Sequence, residues 1–190
     1  SIVMLPRMDN FCGPLDDDQG RVYDNIINSI REGPPEKRFH YITGFPGTGK
    51  SHLTRAIVAD LQRDHTVITL SWYGLAARSL GINAQTVMAY FGLTFARSGI
   101  VGDNSYLRSV NATEAKMSEY LKKHKSGEIR SPKLVLLIDE VGALHDTILD
   151  AMAGAVRELR STARASSVSS CDDEPFGGAA VILVGDPCQT

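Results

Sequence analysis

Apolar residues along this chain recur in two rhythms. Over residues 16–32 Val22, Ile26, Ile27 and Ile30 recur at helical spacing, with Asp16 or Asp17 placed to cap the helix. The "GPPE" at 33–36 breaks the pattern. Residues 38–43, "RFHYIT", then read as a strand running into a glycine-rich loop. A second helix is predicted over 51–63, with Leu53, Ile57 and Leu61 on one face. Residues 66–72 are β-branched and strand-like, and 84–93 suggest a short buried helix. A polar helix is predicted over 111–125, a buried strand over 133–140, and a helix over 146–160 with Ile148, Met152, Val156 and Leu159 inward. Residues 161–178 have loop composition, and "AAVILVGD" at 179–186 is another buried strand. No internal repeat is visible.

Strands that alternate with helices and read as near-continuous apolar runs imply an α/β fold. The expected architecture is a parallel sheet with helices on both faces. In such sheets ligands bind beyond the carboxyl ends of the strands. The glycine loop after residue 43, Asp139-Glu140 and Gly185-Asp186 all fall at such ends. Three polar corners, distant in sequence, are therefore expected to meet at one edge.

Composition changes this picture little. The 190 residues suffice for one good core, and 43% apolar with 22% charged is ordinary globular usage. No apolar run approaches the ~20 residues that span a bilayer. The start "SIVMLPRMDN" does not resemble a secretory signal, and the missing initiator Met suggests processing or excision from something longer. Cys12, Cys171 and Cys188 are odd in number and unpaired in motif, which argues against a disulfide framework or zinc site and for a reducing compartment. His40, His52, His65, His124 and His145 show no metal-ligand spacing. The net charge of −2 gives no global field for nucleic acid, although Lys116–Lys133 carries a local surplus of basic residues. Such a run is more often a solvated face than a phosphate track.

The stretch "ITGFPGTGKSHL" (42–53) supplies the chemistry. Gly44, Gly49, Lys50 and Ser51 fit the phosphate-loop spacing G-x-x-x-x-G-K-[ST]. A glycine turn before a helix also arises by chance, but here a strand precedes and a helix follows, as the motif demands. Glycines at 44, 47 and 49 let backbone N–H groups close around phosphate oxygens, and the next helix offers its positive end. Gly44, Phe45, Pro46, Gly47, Thr48, Gly49, Lys50, Ser51 and His52 are thus the candidates for contact with a nucleotide. Lys50 would reach the β- and γ-phosphates and the Ser51 hydroxyl would ligate Mg²⁺. At the end of "LVLLI", one carboxylate is needed for the hydrated metal and one to deprotonate water. Asp139 is assigned to metal and Glu140 to water. A bare Asp-Glu pair opening a loop would mean little without the phosphate loop upstream. This set favours hydrolysis over phosphoryl transfer, because a kinase would bring an arginine-rich lid and 161–178 holds only Arg164.

"LVGDPCQT" (183–190) places Gly185, Asp186 and Gln189 as G-D-x-x-Q, which resembles motif III of superfamily-one helicases. With "GFPGTGKS" and "LLIDE", the order is similar to that superfamily's N-terminal RecA-like domain. "LDDDQGRVYDNI" (15–26) resembles the adenine-reading Q motif of RecD-like and Pif-type helicases, and "YGLAARSLGINAQTVMAYFGL" (73–93) resembles their T-G-x-A-A and T-I-H-x-x-F-G segments. Trp72, Tyr73 and Met88 stand where that group carries Pro, Thr and His. Gly142 resembles the helicase subunit of herpesviral helicase-primases.

The resemblance implies that Gln19 reads adenine, that Gln189 contacts the γ-phosphate, and that 73–93 lines a single-strand path. Of the aromatic residues, Phe91 is expected in the core, while Trp72 and Tyr73 remain open between core and base stacking. It implies an intracellular ATP-dependent 5′-to-3′ DNA helicase, nuclear, nucleoid or cytoplasmic, with single-stranded DNA and replication proteins as partners. A viral RNA helicase and a nucleotide-gated module of a larger replication complex are the alternatives. Residues 1–36 would form the adenine-reading helix region and 37–190 the phosphate-loop core. The second RecA-like domain and its arginine finger are not among these residues. The expectation is therefore that the chain binds Mg-ATP, hydrolyses it poorly and does not unwind.

Overall fold

The computed structural model describes residues 13–81, 83–93, 105–163 and 174–186. Among these residues, five parallel strands form one sheet in the order β1-β5-β4-β2-β3, comprising β1 (Phe39–Thr43), β2 (Thr66–Ser71), β3 (Gln85–Thr86), β4 (Leu134–Asp139) and β5 (Ala180–Gly185). Register is fixed by pairs such as Thr43 with Gly185, Ile138 with Leu183, and Ser71 with Asp139.

Each sheet face has its own core. On one face α1 (Asp17–Glu32) and α2 (Lys50–Leu61) pack Ile26, Ile27, Ile30, Leu53, Ile57 and Leu61 against Ile42, Val135, Leu137, Ile182 and Val184. Leu80 of α3 (Gly74–Leu80) closes this layer. The other face carries α4 (Val87–Tyr90), α5 (Ser105–His124), α6 (Ser126–Ile129) and α7 (Asp146–Ala163). There Met117, Leu121, Met152, Val156 and Leu159 meet Leu70, Leu136, Ile138 and Val181. No described helix is long and apolar enough to cross a membrane.

Local chemistry sets where the elements begin and stop. Asp16 caps α1 and forms a reciprocal box with Gln19, worth about 1 kcal/mol. The three buried isoleucines of α1 contribute about 5 kcal/mol together, so burial holds the helix while the cap fixes its first residue. Gly33 ends α1, and Pro34-Pro35 follow. Arg55 of α2 donates to the last carbonyls of α3, Ser79 O at 2.6 Å and Leu80 O at 3.1 Å, groups that a helix leaves without internal partners.

Two elements depart from the expected boundaries. The helix expected over 84–93 is a two-residue strand followed by one turn, because Gln85-Thr86 pair with Leu70-Ser71 and Thr86 caps α4 through the Ala89 N–H. The polar helix expected from 111 begins at Ser105. Tyr90 joins Phe91 in full burial, its hydroxyl donating to Glu128 at 3.0 Å with Lys125 over the ring. The basic run is partly engaged in packing, since Lys122 also pairs with Glu158 of α7.

Candidate nucleotide site

The site is assembled at the carboxyl ends of β1, β5 and β4, which lie side by side in that order. From β1 the chain enters the loop 44–49 and turns directly into α2. The turn needs Gly47 and Gly49, whose φ values are +83° and +79°. Thr48 closes the loop from within, its hydroxyl donating to Phe45 O at 2.8 Å. Lys50 curls back over it, with Nζ donating to Gly44 O at 2.5 Å and Phe45 O at 3.0 Å. Those acceptors are neutral carbonyls, so a phosphate competing for the ammonium gains the advantage of opposite charge. Ser51 is exposed in the first turn of α2, and Phe45 presents most of its ring to solvent.

Gln19 lies far from the loop in sequence and touches it in space. Its Nε2 donates to Thr48 O at 3.2 Å while its Oε1 accepts from the Asp16 N–H at 3.3 Å. A side chain at position 49 would collide with that amide, because an added Cβ would sit 2.3 Å from Nε2. His52 Nε2 lies 3.2 Å from the Gly13 carbonyl, an acceptor only, so that nitrogen carries the proton.

On β4, Asp139 is largely withdrawn from water. Burial pushes its carboxyl above the ordinary value, the Glu140 N–H that it accepts at 3.0 Å pulls it down, the charge of Glu140 raises it and that of Lys50 lowers it. Lys50 and Asp139 are thus within electrostatic reach. Glu140 sits at φ 56°, ψ 40°, a left-handed conformation costing about 1–3 kcal/mol in a non-glycine residue. A 3-10 turn, Val141–Ala143, follows directly. Gly185 ends β5 where an added Cβ would lie 3.1 Å from both the Tyr41 hydroxyl and Val141. The strand ends therefore pack too closely here for a larger residue without displacement. Asp186 is buried.

The described structure thus brings together Gln19, the loop 44–49, Lys50, Ser51, His52, Asp139, Glu140, Gly185 and Asp186 along one sheet edge. Gln189, with Pro187, Cys188 and Thr190, lies outside the described residues, as do Cys12, Cys171 and Arg164. Trp72 is half-buried against the second core, whereas Tyr73 and Leu75 are exposed beyond β2.

A clasp beneath the site was not anticipated from the sequence. Tyr23, one turn beyond Gln19, donates to Asp60 of α2 at 2.8 Å. Arg31 bonds Asp60 at 3.2 Å and Asp64 at 2.9 Å. Burial, together with the hydrogen bond to Asp60, pushes the Tyr23 phenol well above its usual range. The available signal was helical spacing, since Gln19 and Tyr23 share a face of α1.

A family model described as PIF1-like helicase matches residues 14–190. Among curated proteins, the chain is 29% identical over 175 residues to the ATP-dependent DNA helicase PIF7 of Trypanosoma brucei brucei, covering 92% of this chain and 15% of that protein. It is 26% identical over 167 residues to the ATP-dependent DNA helicase PIF1 of Xenopus laevis, covering 86% and 21%. The chain therefore spans about a fifth or less of the length of these relatives. Among solved structures, its fold is similar to that of the Pif1 helicase from Candida albicans, with TM-score 0.65, 23% identity, and coverage of 91% of this chain and 32% of that one. It is also similar to Bacteroides sp Pif1 in complex with ADP-AlF4, with TM-score 0.53, 20% identity, and coverage of 91% and 32%.

Proposed function

The chain belongs to the PIF1-like helicase family, a branch of superfamily one, and from that membership we propose that it carries the ATP-binding and hydrolysing half of a 5′-to-3′ DNA helicase motor. The observation that carries this proposal is the meeting of the Lys50 loop and the Asp139-Glu140 corner at one edge of the sheet. The backbone N–H groups of 44–49 and the start of α2 would cradle the phosphates. Lys50 would leave the Gly44 and Phe45 carbonyls for the β- and γ-phosphates. Gln19, held by its capping box beside the loop, would read adenine.

The donor set suits Mg²⁺. A carboxylate with an incomplete set of hydrogen bonds and an exposed hydroxyl are hard oxygen ligands, and this cation commonly takes one or two protein oxygens with the rest from phosphate and water. Ser51 and Asp139 would hold it, and it would neutralise charge on the phosphates. Glu140 would orient and deprotonate the attacking water. Gln189 would contact the γ-phosphate. Single-stranded DNA would run past Tyr73 and α3, and a second RecA-like domain of the parent protein would complete the motor. These 190 residues would form its N-terminal RecA-like part, binding Mg-ATP, hydrolysing it slowly and not unwinding duplex.

Lys50→Ala should abolish binding of a fluorescent ATP analogue while the circular dichroism spectrum stays unchanged. Glu140→Gln in the parent protein should bind normally and lose at least ~100-fold in DNA-stimulated hydrolysis. Wild-type turnover by Glu140→Gln would remove Glu140 from its role.

A further inference from the structure

Among the described residues, three hydroxyls lie buried without hydrogen-bond partners on the α2 side of the sheet or on α2 itself, namely those of Thr54, Thr69 and Ser71. Burying a hydroxyl unpaired is costly, because it loses its water partners without replacement. Thr54 lies one turn along α2 from Lys50, and Thr69 and Ser71 alternate along β2 onto one face. Ser71 differs from the other two in its neighbour. It ends β2 in direct register with Asp139, so the two side chains stand beside each other on adjacent parallel strands, on the face that packs against α2. Asp139 has the complementary deficit, for it is partly buried beside Ser71 and accepts a hydrogen bond from the Glu140 backbone at 3.0 Å. A donor without an acceptor thus adjoins an acceptor short of donors.

Building on the nucleotide-site assignment above, we infer that Ser71 is a positioning residue for the divalent cation: its hydroxyl donates to the Asp139 carboxylate when that carboxylate turns to ligate the metal. A hydroxyl donor on the outer oxygen fixes the orientation of the carboxylate. Partners of this kind typically change metal affinity 10–100-fold. In the metal-free protein the same hydroxyl is only a burden, so the two states respond to its removal with opposite signs.

Mn²⁺ binding, read by electron paramagnetic resonance with AMP-PNP present, tests this on the whole chain. Ser71→Ala should weaken Mn²⁺ about tenfold. Its affinity for fluorescent AMP-PNP in EDTA should stay within about twofold, and its metal-free Tm should equal or exceed that of the wild type. Thr69→Val is the matched control, because it removes an equally buried orphan hydroxyl farther from the carboxylate. It should leave Mn²⁺ affinity unchanged. Equal losses of Mn²⁺ affinity in the two variants, no loss in Ser71→Ala, or a lowered metal-free Tm in Ser71→Ala would each overturn the inference. Failure of the wild type itself to bind AMP-PNP overturns the nucleotide site instead, and the two failures are distinguishable.

Discussion

Arg160 is a charged side chain that the fold buries almost completely. Its guanidinium donates to Gly177 O at 2.8 Å, Ile129 O at 2.8 Å and Ser131 O at 2.7 Å, tying α7 to the turns before β4 and β5. Removing it strands three carbonyls, so Arg160→Ala should cost at least about 3 kcal/mol in urea unfolding. At the loop, Gly49→Ala meets both a positive φ and the Gln19 amide. It should destabilise the protein by about 1–2 kcal/mol and weaken nucleotide binding by more than ten times, measured by calorimetry. These residues differ in how far the sequence announced them. The positions of Lys50, Asp139 and Glu140 were legible because each follows directly on an apolar run or a glycine loop in sequence. Arg160, within "RELRST", looks like any solvated helix charge, and Ser71 like any strand serine. Their surroundings come from partners 17 to 68 positions away, which no local pattern encodes.

Among the elements, α1 and α2 show how a clasp can act between helices. Burial would push the Asp64 carboxyl up, but hydrogen bonds and charge from Arg31 and His65 outweigh it and leave the carboxyl below its ordinary value of 3.8. A depressed carboxyl stabilises the fold above its unfolded value and loses that contribution as pH falls through the folded one. Wild type and Arg31→Met should therefore differ in Tm at pH 7, and the difference should shrink in acid as pH falls below 3.8 through the folded value of Asp64. Failure to converge would locate the Arg31 contribution in packing of its stem rather than in the ion pairs. The core strands and α1, α2 and α7 were readable because near-continuous apolar runs and clean helical spacing leave few alternatives. The 84–93 segment was not, because its two-residue strand exists only through pairing with β2, and α5 starts earlier than its polar sequence signals.

For the whole molecule, alternating strands and helices fixed a parallel sheet but not the order of its strands. That order, with β5 between β1 and β4, is what sets Gly185 beside both Tyr41 and Val141 and makes one site from three distant corners. It follows from how the two cores divide between the faces, a global packing problem that no window of sequence contains. The same order leaves β1 at the end of the described sheet with Phe39 and Tyr41 half-exposed. A terminal strand bearing free amides and aromatic rings is a template for another copy of itself. In concentrated solution the purified chain should self-associate through this rim, and Tyr41→Lys should lower the concentration dependence of its light scattering. On this expectation, the strand that delivers the phosphate loop would also govern how well the isolated chain stays dispersed.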